Sequence, residues 1–124
     1  MSTVRSRKAK GRRLQNWVRD TLLSIFKTLD DNDISCAIMG ETGEDIKLSN
    51  PAKKLIPYSF ECKNVERLNI WQAIEQAETN CEDRTPVVVI KRNRTNPYVV
   101  LDLNKFIKLI GENNGQSTLN KKTK

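Results

Sequence analysis

YSFECK, residues 58–63, alternates apolar and polar side chains along a short run. On a strand, Glu61 and Lys63 point to one face, while Tyr58, Phe60 and Cys62 point to the other. Two positions along a strand span roughly 6.6 Å, so a carboxylate and an ammonium group can reach the same small site. The stretch therefore predicts a strand with one apolar face and one face that carries the charged side chains Glu61 and Lys63.

The chain on either side of this strand alternates between helical and extended patterns. Apolar spacing predicts helices over residues 12–29, 70–81 and 104–110, and strands over residues 34–39, 44–48, 56–63, 87–90 and 98–103. The order αβββαββα is that of an α/β (α+β) fold, with a mixed central sheet of about five strands flanked by helices. Because residues 70–81 are long enough for a crossover, the strand after them is expected to pair parallel with an earlier strand.

A chain of 124 residues is expected to form one domain with a single core. We expect a basic N-terminal arm over residues 1–11, a domain over residues 12–110 and a disordered tail over residues 111–124, where apolar residues nearly vanish. Trp17 and Trp71 adjoin apolar helical stripes and are expected to pack in the core or at its edge, with a role as base-stacking platforms as the alternative.

The net charge of +7 has a local origin, because seven basic residues precede the first acid, Asp20. Such a segment favours an anionic polymer as partner, and the alternative is a solvated segment that only aids solubility. The candidate contacts to nucleic acid are Arg5, Arg7, Lys8, Lys10, Arg12 and Arg13.

Cysteine and histidine usage exclude several classes of site. The three cysteines show no Cys-x-x-Cys spacing, so the thiols are expected to be reduced, as in an intracellular protein. The chain contains no histidine, which excludes zinc sites with histidine ligands and Ser-His-Asp or Cys-His mechanisms. No apolar run approaches the roughly 18 residues of a membrane span, and no apolar signal core follows the basic start. We therefore expect a cytoplasmic location and no membrane partner.

Asp45 stands sixteen positions before Glu61 and supplies a second carboxylate. Asp45 and Glu61 are predicted to hold one or two Mg²⁺ ions, and the carbonyl of Cys62 can complete the coordination. Lys63, close to two acids, is expected to stay protonated and to orient water or stabilise charge. The alternative is that these three residues are surface charges on a half-buried sheet.

The motif Gly43-Glu44-Asp45-Ile46, a spacer and Phe60-Glu61-Cys62-Lys63, after an amphipathic helix, resembles the PD-(D/E)XK nuclease superfamily over residues 10–103. The start Ser6-Arg7, then Lys10-Gly11-Arg12, and the small size are most similar to archaeal-type and phage Holliday junction resolvases. The resemblance implies a restriction-endonuclease-like core with Asp45 and Glu61 as ligands of Mg²⁺, for which Mn²⁺ would substitute. It also implies Lys63 as the catalytic lysine, and a homodimer on branched duplex DNA, in recombination or repair in a prokaryotic or phage-infected cell.

This chain departs from the resolvase pattern in its first helix. Those resolvases usually carry a glutamate ligand where Gln15 stands here, so the amide oxygen of Gln15 is a further candidate ligand. Glu41 and Glu44 are nearby carboxylates that could compensate, and Glu44 replaces the proline that often precedes the aspartate. Gln72 and Gln76 share a helix face and resemble glutamines around the site of some superfamily members, with polar surface as the alternative.

Three functions follow for comparison. The first is a metal-dependent endonuclease that is selective for branched DNA and needs no small-molecule cofactor. The second is a sequence-specific endonuclease of the restriction or homing type, or a nicking enzyme, although 124 residues leave little room for elements that read bases. The third is a non-catalytic DNA-binding protein that uses its basic residues alone.

Overall fold

Helices and strands alternate along the chain in this computed structural model, which describes residues 3–38 and 40–113. The elements, in chain order, are α1 (Val4–Ile25), β1 (Ile34–Cys36), β2 (Ile46–Leu48), α2 (Asn50–Leu55), β3 (Tyr58–Asn64), α3 (Ile70–Asn80), β4 (Thr85–Lys91), β5 (Tyr98–Val100) and α4 (Leu103–Asn113). The expected mixture of helices and strands is confirmed, and α2 is an additional helix.

α1 begins at Val4 and not at residue 12, so residues 4–11 form its first turns and not a separate arm. The hydroxyl of Thr3 caps it by accepting a hydrogen bond from the Ser6 N–H at 3.0 Å. The Arg-, Lys- and Ala-rich residues that follow have high helix propensity and continue the helix. At the other end Phe26 leaves helical geometry while its N–H bonds the Leu22 carbonyl at 2.9 Å, which ends α1 before residue 29.

β1 and β2 form an antiparallel hairpin in which Ile34 pairs with Leu48 and Cys36 with Ile46. Both strands are shorter than the sequence predicts. The chain between them turns at Gly40 and Gly43, whose φ angles of 86° and 94° favour glycine.

α2 follows the hairpin directly, where the sequence pattern predicts only an interruption of the strands. The Ser49 hydroxyl accepts a hydrogen bond from the Ala52 N–H at 3.2 Å, and Pro51 lies in the first turn. Proline is well suited to the first turn because its missing N–H would have no helical partner there. Ser49 and Pro51 therefore start a helix, and Ala52 buries it against the core.

β3 pairs parallel with β4, and β5 pairs antiparallel with β4. The parallel pairing confirms the expectation from sequence, because α3 provides the crossover that parallel strands require. β4 is a run of valine and isoleucine with both faces covered, as is typical of a strand in the middle of a sheet.

The expected single sheet of about five strands is wrong, because the strands form a two-stranded sheet, β1–β2, and a three-stranded sheet, β3–β4–β5. The two sheets meet where the Asp45 N–H donates to the Phe60 carbonyl at 3.1 Å. Next to it, the Cys62 N–H donates to the Asp45 carboxylate at 2.7 Å, and not to a main-chain carbonyl of β2. A side chain thus takes the place of the next ladder bond. The restriction-endonuclease-like core remains a prediction.

The core lies on both faces of the β3–β4 pair. On one face Leu14 and Val18 of α1 pack in a cluster with Cys62 and Val89. On the other face the small residues of α3, Ala73 and Ala77, pack on Val88. Burying each leucine or valine side chain of these clusters contributes roughly 1.5–3 kcal/mol. The β3–β4 pair is therefore a rigid support for side chains that form a site.

Two further expectations are met only in part. Trp17 and Trp71 do not lie in the core, which leaves the expected edge position: they are 54% and 75% exposed, and each lies beside the buried stripe of its helix. α4 extends through residue 113, past the expected end of the domain at residue 110, and residues 114–124 lie outside the described part. Among the described helices, none is both long and apolar enough to cross a membrane.

Candidate active site between β2 and β3

Asp45 lies at the edge of β3, immediately before β2. Two hydrogen bonds fix it there: its N–H donates to the Phe60 carbonyl, and its Oδ2 accepts from the Cys62 N–H at 2.7 Å. These partners flank Glu61 on both sides in the sequence. The carboxylate of Asp45 is therefore held beside the segment that carries Glu61 and Lys63, as the sequence predicts.

Glu61 is almost fully buried, with 2% of its surface exposed. It pairs in register with Val88, so its side chain lies on the face of the sheet that α3 covers. Its Oε2 lies 3.5 Å from the Lys63 Nζ, whereas Oε1 is buried and has no hydrogen-bond partner within the described residues. Such an unsatisfied buried oxygen typically costs about 1–3 kcal/mol, which singles this atom out as a candidate ligand.

The protonation of this cluster reflects its burial. Burial, the largest cause, and the negative charge of Asp45 together raise the pKa of Glu61, whose net value is about 7. Lys63 and Asn80 act in the opposite direction. Burial also raises the pKa of Asp45, against the hydrogen bond from the Cys62 N–H. Two acids that disfavour each other's charge are the arrangement that a divalent cation stabilises.

Lys63 lies two residues after Glu61 on the same face, as the alternation predicts. Its side chain is 27% exposed, so the ammonium group reaches solvent while its stem packs against the strand. This group can therefore contact a substrate at the surface and Glu61 below it.

The candidate metal ligands at the site are few, but their chemistry fits Mg²⁺. No group of three or more His, Cys, Asp or Glu side chains that could hold a metal ion occurs among the residues described. Mg²⁺ usually keeps several waters and binds proteins through one or two carboxylates, which Asp45 and Glu61 provide. The N–H and C=O of a strand residue point to the same edge, so the Cys62 carbonyl lies on the side of Asp45 and can be a third ligand.

No protein-family model, curated protein or solved structure matches this chain. The resemblance to the nuclease superfamily thus depends on the motif residues and their geometry.

Gln15 lies half-buried on α1, one residue after buried Leu14. Within residues 3–38 and 40–113, no hydrogen bond or ion pair connects it to Asp45, Glu61 or Lys63. Its role as a ligand stays a prediction.

The two accessory glutamates have other partners. Glu41 is exposed, accepts a hydrogen bond from the Ile38 N–H at 2.8 Å and lies 3.5 Å from the Lys47 Nζ. Glu44 is buried and its Oε1 lies 2.7 Å from the Arg84 Nη1. The Glu44 carboxylate is thus already paired, with Arg84.

Gln72 and Gln76 are exposed on α3, the helix above Glu61. Asn80 continues their i, i+4 spacing, and it is this residue whose interaction lowers the pKa of Glu61. The sequence reasoning missed Asn80, and the same helical spacing would have indicated it.

The basic residues proposed as DNA contacts all lie on α1. Lys10 is buried and its Nζ lies 3.1 Å from Glu66 Oε2, so its charge is already paired. The exposed members of the set are Arg5, Arg7, Lys8, Arg12 and Arg13.

Proposed function

We propose that this protein is a Mg²⁺-dependent DNA endonuclease that hydrolyses phosphodiester bonds and selects branched duplexes, as Holliday junction resolvases do. The observation that carries the proposal is that the Asp45 carboxylate is bound to the Cys62 N–H, next in sequence to Glu61, while Glu61 Oε2 lies 3.5 Å from the Lys63 Nζ and Glu61 Oε1 is buried with no hydrogen-bond partner among the described residues. Phosphodiester hydrolysis needs an activated water and a counter-charge for the phosphate, and a bound Mg²⁺ supplies both.

Each residue then has a distinct role. Asp45 and Glu61 hold the cation, and the Cys62 N–H keeps the Asp45 carboxylate oriented. Lys63 remains within 3.5 Å of Glu61 and extends to the surface, where its ammonium group orients the attacking water and neutralises charge on the phosphate. Burial of Glu61 would strengthen its electrostatic interaction with a bound cation, because the local dielectric is low.

One observation favours an alternative from another class. The described residues contain two candidate carboxylates and no larger ligand group. A protein that retains the fold and binds DNA without cutting it fits that small donor set as well. A sequence-specific or nicking endonuclease uses the same site, so only the choice of DNA distinguishes it from a resolvase.

The test is cleavage of a four-way junction, a flap, a linear duplex and a single strand, each with Mg²⁺, with Mn²⁺ and with EDTA. We expect cutting of the junction with either metal and none with EDTA. Cutting of one linear sequence at a fixed position favours the restriction-type alternative, and binding without cutting any substrate favours the non-catalytic one.

Asp45→Asn, Glu61→Gln and Lys63→Met should each lower the cleavage rate by a factor on the order of 10² or more, while junction binding in EDTA persists. Asn and Gln preserve shape, so Asp45→Asn keeps an acceptor for the Cys62 N–H. Glu75→Gln and Lys54→Met change exposed residues elsewhere and serve as matched controls. Undiminished cutting by all three site variants would contradict the proposal.

A further inference from the structure

A groove of about 560 Å³ lies between α1 and the turn that connects β4 to β5, on the opposite face of β3 from Glu61 and Lys63. Its lining combines basic, aromatic and amide side chains, among them Lys10, Arg13, Trp17, Asn64, Arg94 and Asn96. On α1, residues 10, 13 and 17 follow the i, i+3, i+7 spacing of one helix face. Both walls of the groove therefore carry groups that suit nucleic acid.

Arg13 and Arg94 supply the available positive charge, one from each wall. Both are exposed, and neither has an ion pair within the part of the chain that the structure describes. The other lining cations have partners: Lys10 pairs with Glu66, and the Lys91 Nζ donates to the Arg92 and Thr95 carbonyls. Two guanidinium groups thus remain to bind phosphates.

Trp17 gives the groove an exposed aromatic surface. Its 54% exposure is high for a tryptophan on the helix that covers the core. The indole lies one helical turn from Arg13, so a base stacked on it would have its phosphate near a guanidinium group. Base stacking on an aromatic side chain contributes about 1–3 kcal/mol and does not depend on the sequence of the strand.

Asn64 lines the groove as a buried amide that is only partly satisfied. It is 8% exposed, and its Nδ2 donates to the Lys10 carbonyl at 3.0 Å. Its Oδ1 has no hydrogen-bond partner among the residues described. A buried amide oxygen without a donor is costly, and an N–H group of an unpaired base is a donor of the right kind.

The two walls are fixed to each other. Glu66 Oε2 accepts hydrogen bonds from the Lys10 Nζ on α1 at 3.1 Å and from the Asn93 N–H in the turn at 2.7 Å. These bonds keep the pKa of Glu66 below its ordinary value, with the Asn93 N–H as the largest cause. The groove is therefore formed before any ligand binds, which lowers the entropy lost on binding.

We propose that this groove binds a short single-stranded DNA segment, with an unpaired base stacked on Trp17 and its flanking phosphates on Arg13 and Arg94. The inference rests on the proposed function in one respect, that DNA is the partner. It adds that the partner contains unpaired nucleotides, as branch points and flaps do. An acidic peptide would use the two arginines but would leave the exposed indole without a stacking partner.

The test uses the two tryptophans as separate reporters. In Trp71→Phe, Trp17 alone fluoresces, and an oligothymidylate of about 12 nucleotides, added in EDTA, should quench it with saturation. In Trp17→Phe, where Trp71 alone fluoresces, the same titration should leave the signal unchanged. Circular dichroism of both variants checks that each is folded.

Arg13→Gln and Arg94→Gln should each weaken oligothymidylate binding about 10-fold and reduce the slope of log affinity against log salt by about 0.7. Lys54→Gln, on α2, is the matched control for loss of one exposed charge and should bind normally. Absence of Trp17 quenching, equal quenching by polyphosphate or by an acidic peptide, or unchanged affinity in both arginine variants would overturn the proposal.

The two proposals fail in different ways. If oligothymidylate quenches Trp17 but the protein cuts no DNA, only the nuclease proposal is overturned. If the protein cuts a junction but oligothymidylate does not quench Trp17, only the proposal of single-strand binding in the groove is overturned.

Discussion

At the scale of single residues, Glu61 combines three properties that a structural glutamate rarely has together. It is buried, one of its oxygens has no hydrogen-bond partner in the described part of the chain, and its pKa is raised to about 7. Burial of such a group destabilises the fold when the group is charged. This destabilisation lies at the position where the cation is proposed to bind.

The stability of the metal-free protein should therefore depend on pH through Glu61. Its pKa rises from 4.5 to about 7 on folding, so the folded state binds the proton more tightly than the unfolded state. The free energy of unfolding is then highest below about pH 4.5 as far as this group is concerned. It falls as the pH rises through about 7, by an amount on the order of 2 kcal/mol.

Urea denaturation in EDTA between pH 5 and pH 8 measures this fall. Glu61→Gln should remove most of it, because glutamine does not titrate, whereas the exposed-residue control Glu75→Gln should keep it. Equal pH dependence in Glu61→Gln and the unchanged protein would show that Glu61 is not the responsible group.

At the scale of elements, a buried ion pair fixes the segment before β2 onto the β3–β4 sheet. Arg84, just before β4, contacts both oxygens of Glu44, with Nη1–Oε1 at 2.7 Å and Nη2–Oε2 at 3.0 Å. The Ser59 hydroxyl of β3 donates to the same Oε1 at 3.0 Å. Because Asp45 is the next residue, this pair also positions the candidate ligand.

Glu44→Gln should destabilise the fold by about 3 kcal/mol, since it removes the buried counter-charge of the Arg84 guanidinium and leaves only the exposed one. Glu82→Gln removes the other, exposed carboxylate beside Arg84 and should change stability by less than about 1 kcal/mol. Chemical denaturation of the two variants makes the comparison. A smaller loss for Glu44→Gln than for Glu82→Gln would show that Glu44 does not hold the segment.

Periodicity predicted the elements whose faces are decided by burial. α1, β3, α3 and β4 were predictable because their apolar stripes face the same core from either side. α2 was not, because a proline between two apolar runs marks a break between strands as readily as the first turn of a helix, which is where Pro51 lies. The split into two sheets was not predictable either, since it depends on the Asp45 side chain replacing a ladder bond.

The candidate site was predictable to the same degree. The alternation of residues 58–63 placed Glu61 and Lys63 together, and the structure adds Asp45 through its bonds to β3. Periodicity could not show that Trp17 is exposed, because it identifies the buried stripe of a helix and not what covers its flank. The groove beside Trp17 therefore required the three-dimensional structure.

At the scale of the whole molecule, apolar side chains are exposed on two elements, β5 and α4. β5 is an edge strand, and α4 has no buried residue in the part of the chain that is described. The exposed apolar residues of these two elements are Tyr98, Val99, Leu103, Phe106, Ile107 and Ile110. A surface of this kind supports the proposal of a homodimer, in which two sites related by a twofold axis face the two strands of a junction.

Sedimentation velocity at micromolar concentration should therefore show a dimer. Phe106→Lys, in the middle of the α4 face, should shift it towards monomer by placing charge in the interface. Leu55→Lys, an exposed apolar residue on α2, is the matched control and should leave the dimer intact. A strict monomer with and without DNA would contradict the dimer and favour a nicking enzyme.

The attachment of Asp45 to β3 has a consequence for how such a sequence can diverge. Because the Phe60 carbonyl and the Cys62 N–H hold Asp45 directly, the separation of the two acids does not depend on the length of the segment between them. Insertions at the exposed positions of residues 49–57 would change the spacing of the motif and leave its geometry intact, whereas loss of buried Ala52 or Ile56 would disturb the core. Distant homologues of this chain are therefore expected to keep the aspartate and the Glu-x-Lys pair at variable sequence distance.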